Sequence, residues 1–406
     1  MIRFHLRVRC ALQDTDVQAR RIATIADLIT LINMNRQECV GEVCEDSVGL
    51  LMTYRCNLDC KYCYIHTKRN KDMSLEMAKS ILEPFLMKKA GPVDITFMGG
   101  ETLLAIDVIR PIVEWAKQNK WNRKYRFLGS TNGTLLNEEL KQWLADNKRY
   151  IILGLSYDGL PSSQVDNRGN DNVDVDFFIR TWPKQPIQMT INVDSVPQMA
   201  EGVIYLLEKG AVVHPNVAFE AYDWPDEKIR EYAHQLNVLI EYYNSHKDLP
   251  VISQFSHNLI EYANCIDNPQ HQCEICGVGN GLQVFDVDGQ RYPCHMLSPL
   301  VLEGEKLQKV KDGIISQTTI FADPRCSTCP YNLSCATCMG CNYIYRGSVN
   351  RRDNTHCKIM KVEVKAFIKK EVQRLSAKAS LTPVEASEVD AIKKLLDYEN
   401  RMKNRT

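Results

Sequence analysis

The chain has 406 residues, of which 44% are apolar and 25% charged, and its 50 basic residues balance its 50 acidic ones. A chain of this length and composition can bury a substantial core as one large domain or two, and its charge balance favours neither nucleic acid nor a membrane surface as a partner. The N-terminus lacks the apolar core of a signal peptide, and no stretch reaches the roughly 18–20 apolar residues of a membrane span, so we expect a cytoplasmic protein.

The predicted elements begin after a short opening segment, residues 1–45, which has an apolar helical patch at Ile22–Ile32. Runs rich in β-branched or aromatic residues predict six strands, at Val48–Thr53, Val93–Met98, Tyr125–Thr131, Ile151–Tyr157, Ile187–Val193 and Val217–Ala221. Helices are predicted at Ser74–Lys89, which Pro84 should kink or shorten, at Asn137–Asn147 and at Pro197–Lys209. Strands that alternate with helices imply parallel βαβ units, so residues 46–260 suit a partial barrel with its chemistry at the carboxyl ends of the strands.

The pattern changes near residue 260. Residues 261–358 contain ten cysteines, many turn-forming residues and few long apolar runs, which predicts a second domain held by metal rather than by a large core. Residues 359–406 become helical and heavily charged, and Thr-Pro-Val-Glu at 382–385 is a capping box that predicts a last helix. We expect this helix to pack on the body as a solvated amphipathic helix rather than to bind a partner.

The sixteen cysteines are unevenly distributed: three lie at 56–63, ten between 265 and 357, and none from 64 to 264. Because the cytosol keeps thiols reduced, this clustering indicates metal binding rather than disulfides. The remaining three, Cys10, Cys39 and Cys44, have no ligand spacing and are interpreted as small core residues.

The first group consists of Cys56, Cys60 and Cys63, with the spacing Cys-x3-Cys-x2-Cys. Three thiolates this close can hold three irons of a four-iron cluster and leave the fourth iron open. A zinc site would require a fourth ligand, and only His66 lies near. The spacing therefore favours a cluster whose open iron can bind a small molecule and pass an electron to it.

Four stretches of the chain resemble the radical S-adenosylmethionine (SAM) superfamily, in particular its branch with a SPASM domain. They are Cys56–Cys63, Phe97–Leu104 (Phe-Met-Gly-Gly-Glu-Thr-Leu-Leu), the pair Ser130–Leu136 and Gly154–Gly159 at two strand ends, and the cysteine array from 276 to 357. The resemblance covers residues 46–357 and implies an α/β fold: a partial (β/α)6 TIM-like barrel, then a cysteine-rich SPASM domain and a C-terminal helical tail. It also implies an enzyme that cleaves SAM to a 5′-deoxyadenosyl radical, which removes a hydrogen atom from the substrate.

The same resemblance assigns residues to a SAM site on a [4Fe-4S] cluster held by the first three cysteines. The assigned residues are Tyr62 against adenine, Gly99 and Gly100 for close backbone approach, Glu101 for the ammonium group, Ser156 and Arg168 for the carboxylate, and Asn132. Their residue types alone leave alternatives, because the glycines could form an ordinary turn, Ser156 could cap a helix and Arg168 could make a surface ion pair.

The second cysteine group resembles a SPASM domain, which implies two auxiliary [4Fe-4S] clusters. One would use Cys276, Cys294, a later cysteine, and Cys273 or Cys265; the other would use Cys326, Cys329, Cys335 and Cys357. The chain departs from the family pattern at Met339, so the later cysteine is Cys341 or Cys338, with Cys341 preferred because Gly340 precedes it. Spacing alone leaves a zinc site at Cys326, Cys329, Cys335 and Cys338 as the alternative.

SPASM-bearing relatives mostly modify peptides, so the favoured function is to install a cross-link, a thioether rather than a carbon–carbon bond, in a ribosomal precursor peptide or protein. The alternatives are an anaerobic sulfatase-maturating-like enzyme that oxidises Cys or Ser to formylglycine, and a non-catalytic iron–sulfur electron carrier or scaffold. His295 stands where the sulfatase branch has an aspartate base, and it is either a proton acceptor or a hydrogen-bonded structural histidine.

One protein partner expected besides the substrate is an electron donor such as flavodoxin or ferredoxin. The 45 residues before the barrel are short for an independent leader-binding domain, so either a separate leader-binding protein binds the leader or the faces of the barrel and the SPASM domain bind it directly.

Overall fold

A computed structural model describes residues 46–218, 224–268, 278, 281–313, 326–332, 335 and 337–403. The opening segment, residues 1–45, with its predicted helical patch at Ile22–Ile32, lies outside the described residues. Within them the chain forms a mixed α/β fold in which parallel strands are connected by helices.

Six parallel strands follow one another in chain order. β1 (Asp46–Thr53), β2 (Val93–Gly99), β3 (Tyr125–Thr131) and β4 (Ile151–Leu155) pair in parallel, each with the next. β5 (Ile187–Ile191) and β6 (Val213–Val217) form a second parallel pair, and a bridge between Ser156 and Gln188 joins it to the end of β4. The predicted α/β fold with a partial barrel is confirmed.

The first strand lies in the interior of the sheet because a strand from the cysteine-rich segment covers its other edge. β7 (Leu282–Phe285) pairs with β1 in parallel, and β8 (Arg291–Tyr292) pairs with β7 in the antiparallel direction. The last six residues of β1 are all buried, as expected for a strand with neighbours on both edges. The segment that follows β1 therefore starts from a well-packed part of the core.

Twelve helices are assigned within the described residues. They are α1 (Leu75–Met87), α2 (Ile106–Gln118), α3 (Glu138–Asp146), α4 (Pro161–Arg168), α5 (Val175–Thr181), α6 (Met199–Glu208), α7 (Asp226–Ser245), α8 (Leu259–Asp267), α9 (Gly304–Lys311), α10 (Met339–Arg346), α11 (Asn354–Ser376) and α12 (Pro383–Lys403). Short 3₁₀ helices cover Thr102–Ala105, Val196–Gln198, Ser253–Phe255 and His295–Leu297. The side chains of Ser74 and Asn137 cap α1 and α3, the role that their residue types favour.

The sixth strand begins earlier in the chain than predicted, and residues 219–221 of the predicted segment lie outside the described residues. The strand begins at Val213 and ends at Val217, where the predicted segment Val217–Ala221 begins. Pro215 lies inside β6 and cannot donate a hydrogen bond to a neighbouring strand, which hid the strand in the sequence. Among the described strands β6 pairs only with β5, and such an edge position tolerates proline.

The helix with an internal proline continues past that residue and ends two residues before its predicted end. Pro84 lies inside α1, which continues to Met87 and stops before Lys89. Proline lacks the N–H of a helical hydrogen bond, so it weakens the turn in which it lies.

The last helix begins at the predicted capping box. Thr382 Oγ1 accepts a hydrogen bond from the Glu385 N–H at 3.3 Å, and the Glu385 carboxylate accepts one from the Thr382 N–H at 3.0 Å. Arg374 on α11 forms ion pairs with Glu385 and Glu388 at 2.9 and 2.7 Å, and α12 also packs against α8. None of the helices in the described ranges is long and apolar enough to cross a membrane.

Candidate active site

The first cysteine group lies on the loop that follows β1, at the carboxyl ends of the barrel strands. Cys56, Cys60 and Cys63 are all partly exposed, and none forms a disulfide. The Cys63 N–H donates to the Cys60 carbonyl at 3.0 Å and closes a turn between the last two thiols. Burial raises the pKa of Cys60 to about 11 and also raises the pKa of Cys56. A bound metal would favour the thiolate that these surroundings otherwise disfavour.

Gly99 and Gly100 let the end of β2 lie directly against this cysteine loop. A Cβ atom on Gly99 would come within 2.2 Å of the Thr53 carbonyl oxygen, and one on Gly100 within 2.2 Å of the Arg55 carbonyl oxygen. The backbone N–H groups of Gly100 and Glu101 donate to those same two carbonyls at 3.1 and 2.8 Å. The sequence predicted close approach to a ligand; the close approach seen in the structure is to the backbone that precedes the cysteines.

Glu101 is buried, with 2% of its surface exposed, and it joins β2 to β3. Its Oε1 accepts hydrogen bonds from Leu103 N–H at 2.9 Å and from the Thr131 hydroxyl at 2.7 Å, and Oε2 accepts one from Asn132 N–H at 2.8 Å. Burial raises the pKa of this carboxyl group. A carboxylate has about four acceptor sites, so one remains for a further donor such as an ammonium group.

Asn132 ties the end of β3 to the cysteine loop. Its Nδ2 donates to Asn57 Oδ1 at 2.9 Å, and its Oδ1 accepts from the backbone and hydroxyl of Thr134. Asn57, which lies directly after Cys56, donates in turn to the Thr134 hydroxyl at 2.8 Å. The sequence assigned Asn132 to the cofactor, and the structure adds this loop-fixing network, which the neighbouring polar residues did not reveal.

Tyr62 and Arg168 meet at a buried aspartate that the sequence analysis did not single out. The Tyr62 hydroxyl donates to Asp158 Oδ2, and Arg168 Nη2 donates to Asp158 Oδ1 at 2.8 Å. The Arg168 guanidinium carbon lies 5.3 Å from the centre of the Tyr62 ring. Arg168 is 7% exposed, so the alternative of a surface ion pair is wrong, and Asp158 was recognisable only as part of the stretch Gly154–Gly159.

Ser156 lies one residue after β4 and does not cap a helix. Its N–H donates to the Thr131 carbonyl at 2.9 Å, and it forms the bridge that joins β4 to β5. The next helix, α4, begins at Pro161 with Leu160 at its N-cap position. Ser156 therefore lies at the same edge of the barrel as the other predicted SAM-site residues.

Apart from Cys265, the described cysteines of residues 261–358 form two groups by their electrostatic interactions. Burial raises the pKa of Tyr64, and the nearby thiols of Cys63, Cys341, Cys338 and Cys294 raise it further. Burial also raises the pKa of Cys335 to about 12, with smaller contributions from Cys357, Cys329 and Cys326. We call these sets the Cys294 group (Cys294, Cys338 and Cys341) and the Cys335 group (Cys326, Cys329, Cys335 and Cys357).

The two groups bear on the auxiliary-cluster ligands that the sequence left open, which are Cys341 or Cys338 and Cys273 or Cys265. Cys338 caps α10, where its Sγ accepts a hydrogen bond from Cys341 N–H at 3.4 Å, so both candidate thiols belong to the Cys294 group. The choice between two auxiliary clusters and the zinc alternative stays a prediction. Cys265 is buried in α8, while Cys273 and Cys276 lie outside the described residues.

The side chains that commonly bind metals do not surround one metal ion. In the part of the chain that the structure describes, no three His, Cys, Asp or Glu side chains come together as ligands of one metal ion.

His295 lies directly after Cys294 and contacts the cysteine loop through Tyr64. The centres of the two rings are 5.5 Å apart. His295 Nδ1 is buried and has no hydrogen-bond partner, and burial lowers the pKa of the ring to about 3. The imidazole is therefore neutral at pH 7 in these surroundings, and its predicted role as a proton acceptor stays a prediction.

Residues 50–182, which contain the cysteine loop and the strand ends around it, match the family model described as the radical SAM superfamily. This segment is a radical SAM domain. The predicted superfamily is confirmed, and with it SAM and a [4Fe-4S] cluster as the cofactors that the superfamily implies. The number of auxiliary clusters stays a prediction.

Two relatives extend the comparison. An uncharacterised protein from Methanocaldococcus jannaschii is 36% identical over 116 residues, which span 29% of this chain and 40% of that protein. A cysteine-type anaerobic sulfatase-maturating enzyme from Clostridium perfringens is 23% identical over 289 residues, 63% of this chain and 75% of the enzyme. The chain thus spans less than half of one relative and three quarters of the other. The radical SAM family model and the second relative bear out the prediction of a radical SAM enzyme.

Two solved structures share the fold. The sulfatase-maturating enzyme anSMEcpe with bound AdoMet and Cp18Cys peptide has a TM-score of 0.56 and 19% identity, covering 81% of this chain and 97% of that chain. Streptococcus suis SuiB bound to its precursor peptide SuiA has a TM-score of 0.51 and 16% identity, covering 86% of this chain and 84% of that chain. At these identities the similarity establishes the fold and leaves the substrate to be argued separately.

Proposed function

We propose that this protein is a radical SAM peptide maturase that installs a cross-link, a thioether rather than a carbon–carbon bond, in a ribosomal precursor peptide. The observation that carries this proposal is the cysteine loop at the end of β1, packed against the Gly99–Gly100–Glu101 turn at the mouth of the barrel. When bound, the cluster and SAM supply the radical that removes a hydrogen atom from the peptide.

The residues of this site fit SAM bound to a four-iron cluster. Three thiols that form no disulfide share one short loop, which matches a cluster with one open iron. Arg168 Nε is buried and has no hydrogen-bond partner, so a charged donor remains for a carboxylate. Glu101 has a free acceptor site for an ammonium group. In this proposal Glu101 binds the amino group of SAM, and Ser156 and Arg168 bind its carboxylate.

A small cavity lies beside the Cys294 group, between the end of β6 and the helices α10 and α11. Its volume of about 20 Å³ is enough for a water molecule. Val217, Trp224 and Ile359 give it apolar walls, and Cys338 and Cys341 line another side. Because β6 ends at the same edge of the barrel as β1, a peptide bound at this edge would lie beside the cavity and the Cys294 group.

The two cysteine groups support two auxiliary clusters in addition to the one that binds SAM. Cys326, Cys329, Cys335 and Cys357 supply the four thiols that one cluster needs. The Cys294 group supplies two thiols for the other, Cys294 and either Cys341 or Cys338, with Cys276 and either Cys273 or Cys265 as the remaining ligands in this proposal. A flavodoxin or ferredoxin would deliver the electron, and a separate protein would bind the leader of the precursor peptide.

A second candidate is oxidation of Cys or Ser to formylglycine in a sulfatase. The similarity to the Clostridium perfringens enzyme over 75% of its length favours this candidate. His295 disfavours it, because the sulfatase branch has an aspartate base at the corresponding position. A non-catalytic electron carrier is disfavoured by the intact Gly99–Gly100–Glu101 turn, which an electron carrier does not need.

Mass spectrometry of a treated peptide separates these candidates. The reconstituted protein is incubated anaerobically with dithionite, SAM and either a short cysteine-containing peptide encoded beside its gene or a cysteine-containing sulfatase peptide. A thioether removes two hydrogens, keeps the sulfur and consumes the free thiol, whereas formylglycine formation removes two hydrogens and also replaces the thiol sulfur by a carbonyl oxygen. We expect the first product on the precursor peptide. The second product on the sulfatase peptide, with no change in the precursor, would reverse the ranking.

A further inference from the structure

Asp158 holds three parts of the barrel mouth together. The residue lies three positions after the end of β4 and is 1% exposed. Its Oδ2 accepts a hydrogen bond from the Tyr62 hydroxyl. Its Oδ1 accepts hydrogen bonds from Arg168 Nη2 at 2.8 Å and from the Thr190 N–H of β5 at 3.1 Å. One buried carboxylate thus contacts the cysteine loop, the last residue of α4 and the fifth strand.

These contacts fix the direction of Arg168. The guanidinium group is held by Asp158 on one side and lies over the Tyr62 ring, 5.3 Å from its centre. Its Nε remains buried and without a hydrogen-bond partner. A buried donor without a partner costs free energy, so its retention indicates that an acceptor occupies this position in the working enzyme.

The same region fixes the cysteine loop to α4 a second time. The Lys61 N–H donates to the Asn167 carbonyl at 2.9 Å, directly beside the contact between Tyr62 and Asp158. Lys61 and Tyr62 lie between Cys60 and Cys63. A shift of α4 would therefore move the loop that carries the last two thiols of the cluster.

We propose that Asp158 and the Tyr62 hydroxyl are positioning residues that hold the cysteine loop and Arg168 as one unit, so that the open iron and the carboxylate-binding guanidinium stay in register for SAM. This inference rests on the proposed function and deepens its account of the SAM site. It gives Tyr62 a role that needs its hydroxyl group, whereas contact with adenine would need only its ring.

The test compares Tyr62→Phe, Asp158→Asn and the double variant with wild type. Tyr232→Phe is the matched control, because it removes another tyrosine–carboxylate hydrogen bond, the 2.6 Å contact with Glu363, on helices outside this site. Iron and sulfide content, the thermal unfolding midpoint and the dissociation constants of SAM, methionine and 5′-deoxyadenosine are measured for each protein. The EPR spectrum of the reduced cluster with and without SAM reports whether SAM reaches the iron.

We expect Tyr62→Phe to weaken SAM binding about tenfold, the effect of one lost hydrogen bond to a charged group, with full iron content. Asp158→Asn should weaken it about a hundredfold, because it leaves Arg168 without its anionic partner. The double variant should be no weaker than Asp158→Asn, since both changes break one network. Methionine binding should weaken in parallel and 5′-deoxyadenosine binding should not, because Arg168 faces the carboxylate.

Three other results would overturn the inference. If wild type binds SAM and Tyr62→Phe binds it equally well, the hydroxyl has no positioning role and the inference fails. If Tyr232→Phe weakens SAM binding as much as Tyr62→Phe, the effect is one of general stability, which also overturns the inference. If wild type itself neither binds SAM nor changes its EPR spectrum, the proposed function fails, and the inference fails with it.

Discussion

At the scale of single residues, the predicted site residues gather at one edge of the barrel, but most of them contact protein groups that the sequence could not reveal. The glycines contact the backbone before Cys56, and Glu101 contacts β3. Motif spacing identifies which residues matter because the motif is local in sequence. Their partners, such as Asp158 for Tyr62, depend on which strand ends become neighbours, and that depends on the fold.

Gly100→Ala tests whether glycine is required for the cysteine loop. The added Cβ would lie 2.2 Å from the Arg55 carbonyl oxygen, so either the loop or the end of β2 must move, at a cost of about 1–3 kcal/mol. We expect loss of the irons bound by the first three cysteines and a lower thermal unfolding midpoint, measured by iron analysis and by calorimetry.

Gly154→Ala is the matched control for that substitution. Its Cβ would lie 3.2 Å from the amide nitrogen of the Gln185 side chain, which is flexible and can give way, and at an ordinary contact distance of 3.7 Å from the Gly129 carbonyl oxygen. We expect wild-type iron content in this variant. Equal iron content in the two variants would contradict the required close packing of Gly100.

At the scale of elements, five of the six predicted strands begin within two residues of the predicted first residue, because β-branched and aromatic runs identify buried parallel strands. The start of the sixth strand was misplaced because Pro215 interrupts its pattern. The pairing of β7 with β1 was not predicted at all. β7 has four residues and lies far along the chain from β1, so only tertiary contacts identify it as part of the sheet.

The contact between α7 and α11 predicts a pH dependence of stability. Burial raises the pKa of Glu363 on α11 to about 7 from an ordinary value of 4.5, and the carboxyl group accepts a hydrogen bond from Tyr232 on α7. The folded state thus favours the protonated acid. Its contribution to stability is complete below about pH 4.5 and is lost as the pH rises to about 7, a loss of about 3 kcal/mol.

Glu363→Gln should remove this loss of stability at high pH, because the amide stays neutral and can still accept a hydrogen bond from Tyr232. We expect the thermal unfolding midpoint of the variant to exceed that of wild type at pH 8 and to match it more closely at pH 5. Glu241→Gln, on the exposed face of α7, is the control and should leave the wild-type pH dependence unchanged. A variant at residue 363 that is less stable than wild type at pH 8 would contradict the buried-acid interpretation.

At the scale of the whole molecule, the barrel and the cysteine-rich segment form a continuous structure. β7 extends the barrel sheet, and His295 contacts Tyr64 beside the first cysteine loop. The cysteine-rich composition predicted metal binding in this segment. It could not predict that the described thiols separate into the Cys294 and Cys335 groups, because that separation depends on how α10 and α11 fold against the barrel.

This separation predicts independent loss of auxiliary clusters. Cys329→Ala should remove about four of about twelve irons, and Cys294→Ala should remove a different set of about four, so the double variant should keep about four. Iron and sulfide analysis with Mössbauer spectroscopy measures each step. A loss of all auxiliary iron from either single variant would instead indicate one shared site.

The most direct measurement is the formation of 5′-deoxyadenosine from SAM by the anaerobically reconstituted protein in the presence of dithionite. The Cys56→Ala variant, treated in the same way, is the control, since it lacks one thiol of the SAM-binding cluster. We predict 5′-deoxyadenosine well above this control, with methionine formed in equal amount. Equal amounts of 5′-deoxyadenosine from wild type and Cys56→Ala would contradict the proposal that the cysteine loop after β1 initiates radical chemistry.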